Sequence, residues 1–203
     1  EQSGQIVDPP TVLDVVNQAI GQGEVQVTPL QVARFIAALG NGGTLYRPQL
    51  VEKVESVDGA TTTLFKSVAQ GVLPIQSFRM ELIKEAMISV VKDPRGTAAF
   101  RLRGLSIPVA GKTGTAESGS GLPHAWFAGY TMASESTNLP DIAIAVILEN
   151  QGEGSDYAAP VFKRIVETYY YGEPRSLYWF ESNFGITETP TPFGGIPTET
   201  QEP

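Results

Sequence analysis

A strand-like apolar run leads directly into Lys112-Thr113-Gly114-Thr115. Lys112 carries a compact positive charge, and the hydroxyls of Thr113 and Thr115 are short, orientable hydrogen-bond donors. Gly111 and Gly114 have no Cβ, so a bound backbone could approach this strand closely. These residue types predict a strand that binds an anion, although the tripeptide alone is also compatible with ordinary strand packing.

Gly111-Lys112-Thr113 also matches the end of a phosphate-binding P-loop, which is a second interpretation of the same residues. That loop needs an earlier glycine at the position that Ser106 occupies here. It also needs a helix directly after the threonine, whereas the residues that follow are rich in glycine and serine. A nucleotide site is therefore a poor explanation of this segment.

The composition restricts the remaining classes of function. The 203 residues are 41% apolar and 18% charged, which is typical of a soluble globular domain with one substantial core. The net charge of -8 argues against nucleic acid and anionic membranes as partners. Because the chain has no cysteine and a single histidine, His124, we expect no metal site and no other cofactor. A structural hydrogen bond is the expected role of His124.

Local signals predict the helices that position the motif. Apolar spacing predicts helices over 11–19, 28–40, 78–92 and 156–171. Thr28, Pro29 and Gln31 form a capping-box pattern with proline at the first helical position, so the start of the second helix is well defined. Ser77 is the expected N-cap of the third helix.

Strand-like segments frame the motif at 106–117, 125–133 and 141–150. Their order predicts an antiparallel meander, and the almost continuous apolar character of the last segment predicts a strand that is central or covered on both faces. Val161, Ile165 and Tyr169 share one stripe of the final helix, which we expect to pack on this sheet. The predicted fold class is therefore α+β.

Six sequence blocks, in order, resemble the transpeptidase domain of class B penicillin-binding proteins of the elongation type. They lie at 19–23, 27–33, 41–48, 93–98, 110–116 and 124–130. The resemblance extends from about Ala19 to about Tyr171 and implies the serine β-lactamase-like fold of that family, with Lys112-Thr113-Gly114 as its third motif. We therefore expect the C-terminal part of a penicillin-binding protein transpeptidase fold, an antiparallel meander covered by helices.

The other two family motifs have only false matches in this chain. Ser89 and Lys92 satisfy Ser-x-x-Lys, but the family's nucleophile stands far earlier, at the start of a buried helix. Ser136 and Asn138 satisfy Ser-x-Asn, but they follow Lys112 instead of preceding it. We therefore expect the nucleophile and the second motif upstream of this chain, which alone should be inactive.

The resemblance implies acyl transfer from a D-Ala-D-Ala stem peptide of peptidoglycan, a substrate that β-lactams imitate. It assigns Lys112 the positive potential for the substrate carboxylate, and it assigns Thr113 and Thr115 hydrogen bonds to that carboxylate. The backbone N–H of Thr115 would be one oxyanion donor. Gly114 would leave the strand accessible, and Lys112 and Thr115 are the residues expected to act in catalysis.

The expected organisation is a connector and short helix over 1–18, the transpeptidase portion over 19–180 and a disordered Thr/Pro-rich tail over 181–203. An upstream portion of the domain is the expected partner, and self-association across an open sheet edge is an alternative. The location implied is the cell envelope, with a membrane anchor upstream. Two other interpretations stay open: an inactive interaction module of the same fold, and a serine β-lactamase or D,D-carboxypeptidase.

Overall fold

The computed structural model describes residues 11–23, 25–119, 121–175, 178 and 181. Most of the expected connector and tail therefore lies outside the described residues. The elements are α1 (Val12–Ala19), α2 (Pro29–Gly40), β1 (Thr44–Tyr46), β2 (Lys53–Glu55), β3 (Thr61–Leu64), β4 (Ala69–Val72), α3 (Ser77–Lys92), β5 (Val109–Ala116), β6 (His124–Thr131), β7 (Ala143–Leu148) and α4 (Ala158–Tyr171).

The three long strands form the predicted antiparallel meander, in the order β5-β6-β7. The register places Gly114 opposite Trp126 in β6, and Trp126 opposite Ile147 in β7. Helices and an antiparallel sheet together give the predicted α+β fold class.

Helices cover both faces of this sheet because successive side chains of a strand point to opposite faces. On one face, Phe127 of β6 packs against Phe162 of α4, and the two ring centroids are 4.6 Å apart. On the other face, Ile36 and Leu39 of α2 pack with Tyr130. Burial of each such side chain contributes about 1.5–3 kcal/mol, so the sheet is held between two apolar layers.

Strand β7 is covered on both faces, as expected, but it is not central. Among the described residues, β5 and β7 each pair with β6 alone, so they are the two edges of the sheet. Thr131 N–H donates to Ile142 O at 3.0 Å, which fixes the alternation of the β6–β7 ladder. By that alternation, the backbone groups of Ala143, Ala145 and Ile147 point away from β6.

Two helix starts follow capping signals in the sequence. Thr28 and Gln31 form a reciprocal capping box at the start of α2, with Pro29 at the first helical position, as predicted. Thr11 and Asp14 cap α1 in the same way. The predicted cap at Ser77 is wrong by one residue, because α3 begins at Ser77 with Gln76 as its N-cap.

The buried stripe of α4 differs from the predicted one. Phe162 and Val166 are fully buried, whereas Ile165 is 40% exposed and Tyr169 is 36% exposed. Two charged residues of α4, Lys163 and Glu167, are also buried and pair with each other at 3.7 Å. Lys163 Nζ donates to Arg103 O at 2.8 Å, and these polar partners let the charged side chains replace part of the expected apolar stripe. A further bond from Arg164 to Glu181 at 2.5 Å ties a residue beyond α4 to this helix.

Outside the sheet, α1 and two short ribbons are largely exposed. The ribbons pair β1 with β4 and β2 with β3, the second closed by a turn at Gly59. None of the eight residues of α1 is buried, and Val12 and Leu13 are 83% and 67% exposed. Within the described part of the chain, every helix is too short or too polar to cross a membrane.

Candidate functional site

Strand β5 presents the backbone of the Lys-Thr-Gly-Thr segment along the side that faces away from β6. Met132 N–H donates to Pro108 O at 2.8 Å, so alternate residues from 108 onward bond to β6. The odd-numbered residues therefore direct both N–H and C=O to the other side, which we call the open edge of β5. The backbone N–H of Thr115 lies on this open edge.

Gln22 borders this open edge at one end. Its Nε2 donates to Thr115 O at 3.0 Å, and the N–H of Glu117 donates to its Oε1 at 3.4 Å. One carboxamide thus makes the two bonds that a neighbouring strand would make. These bonds leave the Thr115 N–H available and hold the orientation of the two peptide groups that follow it, between residues 115 and 117.

The side chains of the motif divide between the two faces of β5. Thr113 and Thr115 share one face, where the Thr113 hydroxyl lies 2.8 Å from the Thr97 hydroxyl. The Thr115 hydroxyl donates to Glu153 Oε2 at 2.7 Å. Lys112 is exposed, and its Nζ donates to Thr113 O, an oxygen of the open edge, at 2.6 Å. One ammonium, two hydroxyls and one backbone N–H therefore lie within the four consecutive residues from Lys112 to Thr115.

The two glycines of the segment have different surroundings from those expected. A Cβ on Gly111 would lie 2.5 Å from Cζ of Phe127, so the space beside Gly111 belongs to a core ring. On one face of Gly114, a Cβ would lie 3.1 Å from Cβ of Trp126. On its other face Gly154 packs so closely that a Cβ there would overlap the Gly114 carbonyl. A ligand therefore has no room over Gly111 or Gly114 and reaches this part of the strand along the open edge.

Sequence reasoning missed three residues that contact the motif: Gln22, Thr97 and Glu153. Gln22 and Thr97 belong to blocks that carry the family resemblance, which marked them without giving their contacts. Nothing in the sequence pattern marked Glu153, whose loop joins β7 to α4. Glu117, which directly follows β5, is exposed.

The rejected serines lie where the sequence placed them. Ser89 is exposed in the last turns of α3, and its carbonyl accepts the N–H of Asp93 at the end of the helix. Ser136 lies in the connection between β6 and β7, where its hydroxyl donates to Ala133 O at 3.1 Å. His124 accepts the N–H of Asn150 on Nδ1 at 3.0 Å, which is the structural hydrogen bond expected of it.

Comparisons with known proteins indicate the family of this chain. Residues 1–167 match the family described as the penicillin binding protein transpeptidase domain. Peptidoglycan D,D-transpeptidase PbpA of Mycobacterium tuberculosis (strain ATCC 25618 / H37Rv) is 32% identical over 167 residues, which are 77% of this chain and 32% of the relative. MrdA of Haemophilus influenzae, also a peptidoglycan D,D-transpeptidase, is 31% identical over 173 residues, 77% of this chain and 26% of the relative.

A solved structure supports the same assignment. The imipenem acyl-enzyme complex of penicillin-binding protein A from M. tuberculosis is similar with a TM-score of 0.62 and 31% identity. The similarity covers 75% of this chain and 33% of that one. The chain thus spans about a quarter to a third of the length of these relatives. By this family match, the chain belongs to the penicillin-binding protein transpeptidase family.

Proposed function

We propose that this chain is the C-terminal part of a peptidoglycan D,D-transpeptidase domain and forms one wall of its acyl-transfer site. The observation that carries the proposal is the open edge of β5, where the Thr115 N–H lies beside Lys112, Thr113 and Gly114. This edge combines one positive charge, two hydroxyls and a backbone donor. Such a set suits a substrate that has a terminal carboxylate next to a reacting carbonyl.

In the proposed reaction a serine oxygen attacks the carbonyl of the D-Ala-D-Ala bond and forms an acyl-enzyme. D-alanine leaves with its nitrogen protonated, and the amine of a second stem peptide then takes the acyl group and releases the serine. Thr115 N–H stabilises the oxyanion that forms at each attack. Lys112, Thr113 and the Thr115 hydroxyl hold the carboxylate, and no metal or other cofactor takes part.

The serine comes from a segment upstream of this chain in the proposed arrangement. We call the longer polypeptide that contains both parts the parent polypeptide. Two surfaces support a missing neighbour: the exposed apolar side chains of α1, and the edge of β7 that faces away from β6. A strand added to β7 would satisfy the backbone groups of Ala143, Ala145 and Ile147. A second copy of the chain is the competing occupant of that edge.

This assignment also defines the environment and the partners. The transpeptidase portion would comprise residues 19–180, between a connector and a tail. Peptidoglycan stem peptides are the substrates and β-lactams the inhibitors, as the relative that forms an imipenem acyl-enzyme supports. The reaction takes place in the cell envelope, outside the cytoplasm, and the anchor belongs to the upstream part.

Labelling with a fluorescent penicillin tests the proposal. The parent polypeptide should become covalently labelled on a serine upstream of Glu1, whereas the isolated chain should not be labelled. A Lys112→Ala variant of the parent should label more slowly, because the carboxylate loses its positive partner. Unlabelled parent would favour an inactive interaction module, and labelling of Ser89 in the isolated chain would contradict the upstream nucleophile. Rapid hydrolysis of the label would favour a β-lactamase or carboxypeptidase.

A further inference from the structure

Glu153 already occupies a hydrogen-bond donor of the proposed carboxylate site. Its Oε2 accepts the Thr115 hydroxyl at 2.7 Å. A hydroxyl has only one hydrogen to donate, so Thr115 cannot donate to Glu153 and to a ligand carboxylate at once. In the described part of the chain, an internal carboxylate therefore already accepts the hydrogen bond that a ligand carboxylate would need.

The backbone that carries Glu153 is fixed against the sheet. Gly152 N–H donates to Pro123 O at 2.9 Å, just before Glu153. Gly154, just after it, lies so close to Trp126 that a Cβ would overlap the Trp126 carbonyl oxygen. The Glu153 carbonyl accepts the N–H of Asp156 at 3.1 Å. A ligand can therefore displace the exposed carboxylate of Glu153 but not the loop that carries it.

The charge of Glu153 is not neutralised by the lysine of the motif. Lys112 Nζ donates to Thr113 O at 2.6 Å, and among the described residues neither Lys112 nor Glu153 takes part in an ion pair. A ligand carboxylate that approaches the Thr115 hydroxyl consequently meets a negative charge at close range. Two unit charges 4 Å apart in water repel enough to weaken binding about fivefold.

We propose that Glu153 is a specificity-determining residue that a ligand carboxylate must displace from Thr115. This inference rests on the proposed function, because it assumes that Thr115 receives the terminal carboxylate of the substrate. Glu153 lowers the affinity for every ligand with a carboxylate at that position. Stem peptides and β-lactams with additional contacts overcome this competition, whereas small carboxylates do not.

Substitutions at Glu153 separate its charge from its hydrogen bond. In Glu153→Gln the amide oxygen can still accept from Thr115, but the negative charge is removed. In Glu153→Ala both the charge and the acceptor are lost, so the Thr115 hydroxyl becomes fully available. The matched control is Glu117→Gln, which removes the same charge near the end of β5 without altering an acceptor of Thr115.

The first test measures binding of N-acetyl-D-Ala-D-Ala to the chain by NMR, through the amide signals of Gly114 and Thr115. Its C-terminal amide is the neutral comparison ligand. Glu153→Gln should bind the acid about fivefold more tightly than the wild type, and Glu153→Ala at least as tightly as Glu153→Gln. Affinity for the amide should change less than twofold in every variant, and Glu117→Gln should change neither affinity by more than twofold.

The same variants of the parent polypeptide provide the second readout, the second-order rate of acylation by a penicillin compared with its methyl ester. Faster acylation by the acid alone in Glu153→Gln supports the proposal. Three outcomes overturn it: equal effects on the acid and the ester, effects of the same size in Glu117→Gln, or failure of Glu153→Ala to bind the acid. Loss of acylation in both Glu153 variants also overturns it, and would indicate a positive role such as binding of the acceptor amine. If the wild-type parent is labelled by penicillin while these variants behave alike, only the role of Glu153 fails.

Discussion

Replacing Thr115 by proline would remove the proposed oxyanion donor while leaving the ladder to β6 intact. Proline has no backbone N–H, and it is tolerated in an edge strand where that N–H faces away from the sheet. The Thr115 N–H has this orientation, because Thr115 O accepts from Gln22 and the bonds to β6 come from the even-numbered residues. Gly114, the preceding residue, is already in a strand, which is the conformation that a following proline favours.

The magnitude follows from the number of donors lost. Removal of one oxyanion-hole donor costs about 2.7–4 kcal/mol of transition-state stabilisation, or about 10²–10³ in rate. The proline variant also loses the Thr115 hydroxyl, so Thr115→Val is its matched control: it retains the N–H and lacks the hydroxyl. The ratio of the two variants therefore isolates the backbone donor.

The assay is the second-order rate of acylation of the parent polypeptide by a fluorescent penicillin, with thermal unfolding measured on each variant. We expect Thr115→Pro to acylate about 10²–10³-fold more slowly than Thr115→Val, at a comparable melting temperature. Acylation of the two variants within threefold of each other, with both folded, would refute the assignment of Thr115 as an oxyanion donor. If both variants were then slower than the wild type, the effect would lie in the hydroxyl.

Two further predictions concern the stability of the sheet. Gly111→Ala should lower the free energy of unfolding by about 1–3 kcal/mol in urea titrations, because its Cβ would lie 2.5 Å from the Phe127 ring. Gly71→Ala, whose Cβ would meet nothing within 4 Å, is the control, and equal stability of the two would contradict the packing argument. Burial would raise the pKa of Asp141, but hydrogen bonds from Ser134, Thr131 and the backbone N–H of Ala133 outweigh it and lower that pKa. The stabilisation by Asp141 is therefore present above its unfolded pKa of about 3.9 and is lost as pH falls through the lower folded value. Asp141→Asn should lower the free energy of unfolding by about 1 kcal/mol at neutral pH and make it less dependent on pH in acid. If the free energy of unfolding had the same pH profile in the variant and the wild type, Asp141 would contribute nothing.

Local signals in the sequence were sufficient for the elements that contain them. The capping box of Thr28 and Gln31 defines the start of α2 because both partners lie within one helical turn. The meander follows from three apolar segments joined by short polar connections. The family resemblance points to Lys112 to Thr115 as one wall of the proposed site, which periodicity alone could not do.

Contacts between distant residues were beyond that reasoning. Gln22 and Thr115 are 93 positions apart, and Glu153 and Thr115 are 38 apart. No local pattern encodes such pairs, because they depend on how helices and loops pack against the sheet. The prediction of the α4 stripe failed for a related reason. Lys163 and Glu167 can be buried because they pair with each other and have further polar partners, Arg103 O for Lys163 and Arg164 for Glu167.

The two edges of the sheet differ in a way that bears on the proposed division of the site. Exposed strand edges invite pairing with other chains, and proteins protect them with charges or by covering them. The open edge of β5 carries Lys112 and is bordered by the carboxamide of Gln22, so it suits a small charged ligand better than another strand. The edge of β7 presents Ala143, Ala145 and Ile147, which carry no charge. That difference supports the proposal that β7 pairs with the upstream part of the domain, while the edge of β5 remains accessible to the substrate.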